Sequence, residues 1–585
     1  MSLAVENPPF TSRRLSEIVR TRPKAVSTAT IIAALALFTV LAIHRRWIAD
    51  DGLIAVRTVR QILAGHGPVY NPFERAETNT SAAWTWVLAA MAWSTGADVA
   101  RLAVWAGIVF AVAGYGLALF ATRRFHDGVT GGRFVVPVGF LVILAVAPFW
   151  DFASSGLETG LCTLWIAACW WFLVGVRGDE GLRGLIGLAV LFGAGPLIRP
   201  DFGLVSVVFC VATWLLVRPS WRRAVLLAAV AITLPVGYEI FRGGFYGTLV
   251  PLPGLAKSAG SSAWGRGLAY FDDFFGGYLL WIPAVILLVA VTRYLGRHRL
   301  TTPQRIKFCT PVVAGLLAGV YVLDVGGDFM RGRMWLPTAF LIVLPILVLT
   351  VERRLIPALA LVAAWAVLSA AVTHRDALPV ANATTEDERA GYQDFTHEHN
   401  PTSQHVYVLA EATVVQDITG ARRAHQRRLL SEGGDIAVPL NPRLPIDQAV
   451  IAGRLGGVGA ATPLDDFVVD TLGLANPLGA RVTVTNAGQT GHEKPLPYAW
   501  ILAAYGDPAV VDHQQILDWV PPEYVRAARH AMSCGDLKRV LDAARKPMSL
   551  GRFLSNLGDS VELTRVVVPS DPLDAEKKFC GSPAS

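Results

Sequence analysis

Asp50 and Asp51, adjacent in RRWIADDGL, stand just beyond the first long apolar run of the chain. Two neighbouring carboxylates repel each other, which raises one pKa unless a cation or a metal compensates, and a raised carboxyl suits a general base. Arg45 and Arg46 are close enough in sequence to be expected as that compensation. As a bare dipeptide the pair is a weak motif. Its place at the outer end of a predicted membrane span gives it weight.

Other charges interrupt apolar sequence in the same way: Glu74, Glu77, Asp151, Glu158, Arg199, Asp201, Glu239, Arg242, Lys257, Asp328, Arg331 and Arg333. A charge at membrane depth is costly unless it is paired or lines a wet cavity, so the set reads as a functional mouth, with a solvated rim as the bland alternative. Arginine suits a phosphate through its bidentate fork. In LIRPDFG, Arg199 and Asp201 read equally well as an internal ion pair. In GGDFMRGR, the glycines let the backbone approach a ligand, and Arg331 and Arg333 are expected to point the same way from an extended segment.

The elements that must hold these residues are membrane spans. Of 585 residues, 53% are hydrophobic and 17% charged, with a mean hydropathy of +0.44, too apolar for a soluble protein of this length. The net charge of +7 comes largely from arginine clusters between apolar runs, the pattern of cytoplasmic loops and not of a nucleic-acid surface, so no nucleic-acid partner is expected. About eleven spans are predicted: Ala25–Ile43, then near 100–122, 134–150, 157–176, 184–198, 202–217, 224–241, 278–292, 308–324, 334–350 and 355–372. The stretch from Arg45 to Trp93 is read as an external loop with interfacial helices. Arg123, Arg124, Arg133, Arg177, Arg183, Arg218, Arg222, Arg223, Arg293 to Lys307, Arg353 and Arg354 fall on the N-terminal side of the membrane under the positive-inside rule. With Arg13, Arg14, Arg20, Arg22 and Lys24 before the first span, that side is the cytoplasm, and everything after about Thr373 is outside.

From about His374 onward, β-favouring runs such as ARVTVTN alternate with helical patterns such as GDLKRVLDAARK, predicting a mixed α/β domain. GHEK (His492, Glu493, Lys494) reads first as an exposed turn, with a cavity-facing His492 as the alternative. Cys162, Cys169, Cys210 and Cys309 lie in or beside apolar runs and read as inert thiols. Cys534 and Cys580 can staple the end of an exported domain to an earlier helix.

Several segments resemble the actinobacterial arabinofuranosyltransferases of the GT-C superclass, specifically the terminal β-(1→2)-arabinofuranosyltransferase family. They are RRWIADDGLIAVRTVR, LAGHGPVYN, ERAETNTSAAWT, DFASSGLETG, LIRPDFG, FRGGFYGTLVP and VGGDFMRGR, followed by DTLGLANPLGARV, TGHEKPLPYAW and RKPMSLGRFLSN. The Asp-Asp pair is shared widely among GT-C enzymes, whereas ERAETNTS and GLANPL followed by GHEK are specific combinations. The first 20 or so residues and the region 386–463 match poorly.

The resemblance implies a GT-C membrane catalytic domain over 25–372 and an extracytoplasmic α/β domain over 373–585 that helps hold glycan, while the basic residues before the first span make 1–24 a cytoplasmic extension. It implies a decaprenyl-phosphate-arabinofuranose donor at the plasma membrane and an acceptor at the nonreducing arabinan ends of arabinogalactan and lipoarabinomannan. Asp50 and Asp51 are then catalytic, Arg199, Lys257, Arg331 and Arg333 hold the donor phosphate, and Glu77, Asn79, Glu158, Asp328 and His492 bind substrate. An Asp pair permits a divalent cation without demanding one. A GT-C mannosyltransferase and a lipid-linked sugar transporter are the rival readings, although neither an inverted repeat nor a P-loop is visible.

Overall fold

Apolar sequence becomes helix here because a bilayer offers no water to the backbone, so each N–H and C=O must find a partner within the chain. The computed structural model describes residues 22–257, 262–353, 355–372, 385–484 and 491–581. Most of the expected cytoplasmic extension, with Arg13, Arg14 and Arg20, lies outside the described residues, as do Arg354 and the expected domain boundary near 373. Among the described residues, four helices are long and apolar enough to cross a membrane: Pro23–His44 (α1), Val99–Thr130, Trp221–Tyr246 and Thr302–Val325. Between the first two lie Asp50–Leu63 (α2) and Ala82–Thr95 (α3), so Val99–Thr130 is α4. Shorter apolar helices follow at Thr159–Gly175 (α5), Leu182–Gly193 (α6) and Phe202–Val217 (α7), before Trp221–Tyr246 (α8). Trp264–Gly277 (α9) and Trp281–Arg297 (α10) form a pair bent by 78°, ahead of Thr302–Val325 (α11), Trp335–Val343 (α12) and Ile356–Val372 (α13).

α4 starts on an Asp98 cap, whose carboxylate accepts from the Arg101 N–H, and stops at Gly131 in a left-handed conformation. It crosses α5 closely because Gly107 meets Gly160 there, where an added Cβ on Gly160 would lie 2.2 Å from the Gly107 carbonyl. The stretch expected as a loop carries two short helices, α2 and α3, of which α2 is largely buried by the rest of the chain. At 14 residues each they reach only ~21 Å, and α3 leaves Trp86 and Trp93 exposed.

Two expected spans are not continuous helices. The 134–150 stretch is a strand, Val135–Val136 (β1), followed by helical pieces at Phe140–Ala145 and Pro148–Asp151; the 334–350 stretch is α12, a short 3-10 turn and a strand, Leu349–Thr350 (β2). The strands pair antiparallel, Val135 opposite Thr350. Irregular backbone survives at this depth because protein covers it: Phe140, Leu347, Leu349 and Thr350 are fully buried. Carbonyls freed by the break are met by α4, where Thr122 donates to Leu344 and the His126 ring contacts the Pro345 carbonyl at 3.0 Å.

The basic turns gather at one end of the bundle. Arg123 bonds Thr28 and the Lys24 carbonyl, Lys307 donates to the carbonyls of Val174 and Val176, and Glu352 gathers Arg133, Arg297 and His298. The acids and cations named above lie at the opposite ends of the same helices.

Beyond residue 384, Glu388–Thr396 (α14) precedes a four-stranded mixed sheet of Arg428–Ser431 (β3), Ala437–Pro439 (β4), Gln448–Ala452 (β5) and Phe467–Asp470 (β6) in the order β4-β3-β5-β6. β5 runs into a short helix, Leu455–Ala461 (α15). The C-terminal quarter is helical: Pro522–Ala531 (α16), Gly535–Arg545 (α17), Leu550–Thr564 (α18) and Pro572–Cys580 (α19), with Cys534 bonded to Cys580. Strand alternation sends Leu429, Ala449, Ile451 and Val469 into a core with Trp500 and the helices behind. Leu430, Val450 and Val468 point the other way, into a core shared with Ile54 and Tyr70 of the first loop and Leu252 and Ala256. At roughly 1.5–3 kcal/mol for each fully buried aliphatic side chain, that second face is a substantial bond between the two parts.

Candidate active site

α2 begins where α1 ends, and its first two residues are Asp50 and Asp51, where acids complement the helix dipole. A step of about 100° per residue separates neighbouring side chains on a helix, so the pair cannot face the same way. Asp51 lines a cavity of about 410 Å³, within the usual range for a small-molecule site. Asp50 turns to the C-terminal part, where both its oxygens accept backbone N–H bonds of 2.8 Å, from Gly456 and Gly457 on α15. Burial pushes Asp50 up to about 6 against the downward pull of those two bonds, and Asp51 adds repulsion.

The expected compensation by Arg45 and Arg46 does not occur. Arg45 forms a 2.6 Å ion pair with Asp151, and Arg46 donates to the Ile43 carbonyl. The cation beside the pair is Arg333, 3.5 Å from Asp51.

Arg333 belongs to one cavity wall with Arg199, Lys257, Glu158, Asp201 and Asp328. Arg199 bonds Asp201 at 2.9 Å and Glu158 at 3.1 Å, so the ion-pair reading of LIRPDFG holds and the pair also faces the cavity. Asp328 bonds Arg333 at 3.2 Å and Lys257 at 3.3 Å. Burial alone would raise the Asp328 pKa, but Lys257 and Arg333 outweigh it and hold the carboxyl below its usual range. Arg199, Lys257 and Arg333 thus face the cavity, held by Glu158, Asp201 and Asp328, with Asn79 on the same lining.

Three expected site residues stand elsewhere. Arg331 diverges from Arg333 because Gly332 between them has φ +71°, which turns the chain, and Arg331 bonds Asp273 instead of lining the cavity. Glu77 sits behind the wall: Arg242 and Tyr238, which do line the cavity, donate to it at 2.5 and 2.8 Å. His492 is not on the lining; its ring meets Phe329 edge-on at 5.1 Å, and Lys257 covers that same Phe329. Nor is GHEK an exposed turn. Glu493 and Lys494 are buried, Glu493 paired with Arg266 and Lys494 donating to the Leu255 carbonyl.

Two residues at the site gave no signal in the sequence. Glu388 of α14 accepts the Asp50 N–H at 3.1 Å, and burial followed by the nearby Asp51 and Asp50 charges pushes its carboxyl well above the usual carboxylate range. Arg57, about two turns beyond the pair on α2, is 1% exposed and donates all five N–H groups to carbonyls, those of Tyr70, Gly459, Thr462, Pro463 and Asp466. A hydrophobic pattern conceals both, since their partners are remote in sequence.

The donor set at the pair does not fit a divalent cation as it stands. Asp50 spends both oxygens on backbone N–H groups, and Arg333 occupies the side of Asp51. Among the described residues, three potential ligand atoms converge only at His530, Cys534 and Cys580, where both sulfurs are in the disulfide.

A model of the AftB family C-terminal domain matches residues 442–577. The terminal β-(1→2)-arabinofuranosyltransferase of Mycobacterium tuberculosis is 32% identical, covering 90% of this chain and 93% of that protein. Its namesake from Corynebacterium glutamicum is 31% identical over 96% of this chain and 88% of that protein. Among solved structures, ArnT from Cupriavidus metallidurans bound to undecaprenyl phosphate is 16% identical with a TM-score of 0.39, over 93% of this chain and 89% of that one. The apo form scores 0.38 over 97% and 88%. Scores this low assign no fold.

Proposed function

The chain belongs to the terminal β-(1→2)-arabinofuranosyltransferase family, and from that premise we propose that its cavity is where arabinofuranose passes from a polyprenyl-phosphate carrier to the nonreducing end of an arabinan. It is a membrane-bound glycosyltransferase of cell-wall biosynthesis. The carrier the resemblance implies is decaprenyl phosphate, and the acceptors are the arabinan termini of arabinogalactan and lipoarabinomannan.

One observation carries the assignment of roles: Asp51 alone of the acidic pair lines the cavity, beside Arg199, Lys257 and Arg333. Those cations stabilise the phosphate as it leaves, while oxocarbenium character grows on the sugar. Asp51 takes the proton of the attacking acceptor hydroxyl. A β-linked donor and a β-linked product mean net retention, so the acceptor approaches the face that the phosphate vacates. An acid set among the phosphate-binding cations serves that geometry. Asp50 and Glu388 are positioning residues that fix the first turn of α2.

The gathering of the basic turns at the end of the bundle remote from the cavity supports a cytoplasmic N-terminus, with the cavity and the C-terminal part on the outer face of the plasma membrane. Labelled polyprenyl-phosphate-arabinose and a synthetic arabinan acceptor test the reading, with linkage analysis of the product. Asp51→Asn is expected to lower transfer by about 10²–10⁴-fold, the usual worth of a general base. Undiminished transfer by that variant would remove Asp51 from the reaction. A polyprenyl-phosphate-mannose competitor is expected to yield no product, and a transporter would form no new glycosidic bond at all.

A further inference from the structure

α18 is amphipathic, but its apolar side is only half used. Asn556, Ser560 and Leu563 turn inward, while Phe553 and Leu557 lie against Gly244 and Gly243 near the end of α8. Next around the helix come Leu550, Leu554 and Val561, on one stripe at 3.6 residues per turn and 76%, 57% and 47% exposed. The far flank is polar: Ser555, Asp559 and Glu562, the two acids tied to Arg539.

The neighbour of that stripe says what covers it. α8 is long and apolar enough to cross the membrane, and none of its most apolar window is buried inside the molecule. Val236 and Ile240, the turns of α8 just before Gly243, are 48% and 47% exposed. The stripe on α18 therefore prolongs the lipid-facing surface of a spanning helix. A helix with one aliphatic face, one charged face and a place at the end of a span has the make-up of an interfacial helix.

We propose that α18 lies in the membrane interface, with Leu550, Leu554 and Val561 set into the acyl-chain boundary of the leaflet at which α8 ends. Phospholipid is the partner, and the contact seats the C-terminal part at a fixed height over the cavity, since Arg242 on the lining is the residue before Gly243. This holds whichever way the chain faces across the bilayer.

The test uses the full chain with Cys210 and Cys309 replaced by serine and a single new cysteine at Leu554→Cys, Val561→Cys or Ser555→Cys. Each is labelled with an environment-sensitive fluorophore and reconstituted into phosphatidylcholine vesicles. Lipids carrying nitroxide on the acyl chain are expected to quench the labels at 554 and 561 several-fold more than the label at 555, and aqueous iodide the reverse. Equal iodide quenching at all three positions would overturn the proposal. So would labels at 554 and 561 shielded from both quenchers, which would mean that protein covers the stripe. Two stripe positions are used so that one poorly folded variant does not decide the outcome.

Discussion

Asp50 and Asp51 show how much one peptide bond can separate. Their types and place were legible in the sequence, but their division of labour was not, because it depends on Gly456 and Gly457, more than 400 residues away. The arginines nearest in sequence were the wrong compensators: Arg45 is claimed by Asp151, and Arg333 arrives from the turn between α11 and α12. Asp50 also gives the protein a pH signature. Its folded pKa of about 6 lies above the ordinary 3.8, so its contribution is fully present at low pH and is lost as pH rises from about 4 through about 6. Thermal unfolding in detergent across that window should show a shallower loss for Asp50→Asn than for the unaltered protein; an identical slope would place the titration elsewhere. Glu77 makes a second case. It is 4% exposed and pairs with Arg242, so Glu77→Ala strips Arg242 of its buried partner, leaves it only the more exposed Glu239, and is expected to cost about 1–3 kcal/mol. The Glu77→Ala, Arg242→Ala double variant should regain part of that loss in the melting temperature, as a double-mutant cycle would report.

Among the elements, α15 is the one on which the site leans. Seven residues long and rich in glycine, it fits against the first turn of α2 because it lacks side chains there. A Cβ on Gly456 would stand 2.1 Å from the Asp50 carbonyl oxygen, a backbone atom that cannot swing aside. Gly456→Ala is therefore expected to destabilise by about 1–3 kcal/mol and to lower transfer. Gly453→Ala, whose added methyl would approach nothing closer than the 3.4 Å to Glu432, serves as the control and should change neither. Regular spans were legible from apolar runs and arginine spacing, as α1, α4, α8 and α11 show. The broken pair 134–150 and 334–350 was not, since hydropathy records burial and is silent on whether lipid or protein provides it. The Gly332 turn was misread for a related reason: alternation in a sequence presumes an extended backbone, and a left-handed glycine ends it.

Taken as a whole, the molecule puts its cationic turns at one pole and its cavity at the other, and the α/β part closes over the cavity pole. That polarity is what the outward-facing reading stands on. A single cysteine placed on the exposed Phe73 of the first loop should react with a membrane-impermeant maleimide added to intact cells. Reaction only after lysis would put the cavity in the cytosol, out of reach of a wall polymer. The C-terminal part was foreseen as an α/β domain, and its sheet has no solvent face of its own: Leu430, Val450 and Val468 are covered by Ile54, Tyr70, Leu252 and Ala256, and Arg57 caps five carbonyls around them. Such a part cannot be traded between relatives as a cassette. A chimera that swaps only the tail would graft one half of a tongue-and-groove joint, and a working hybrid has to inherit the segment between the first two long helices from the same parent.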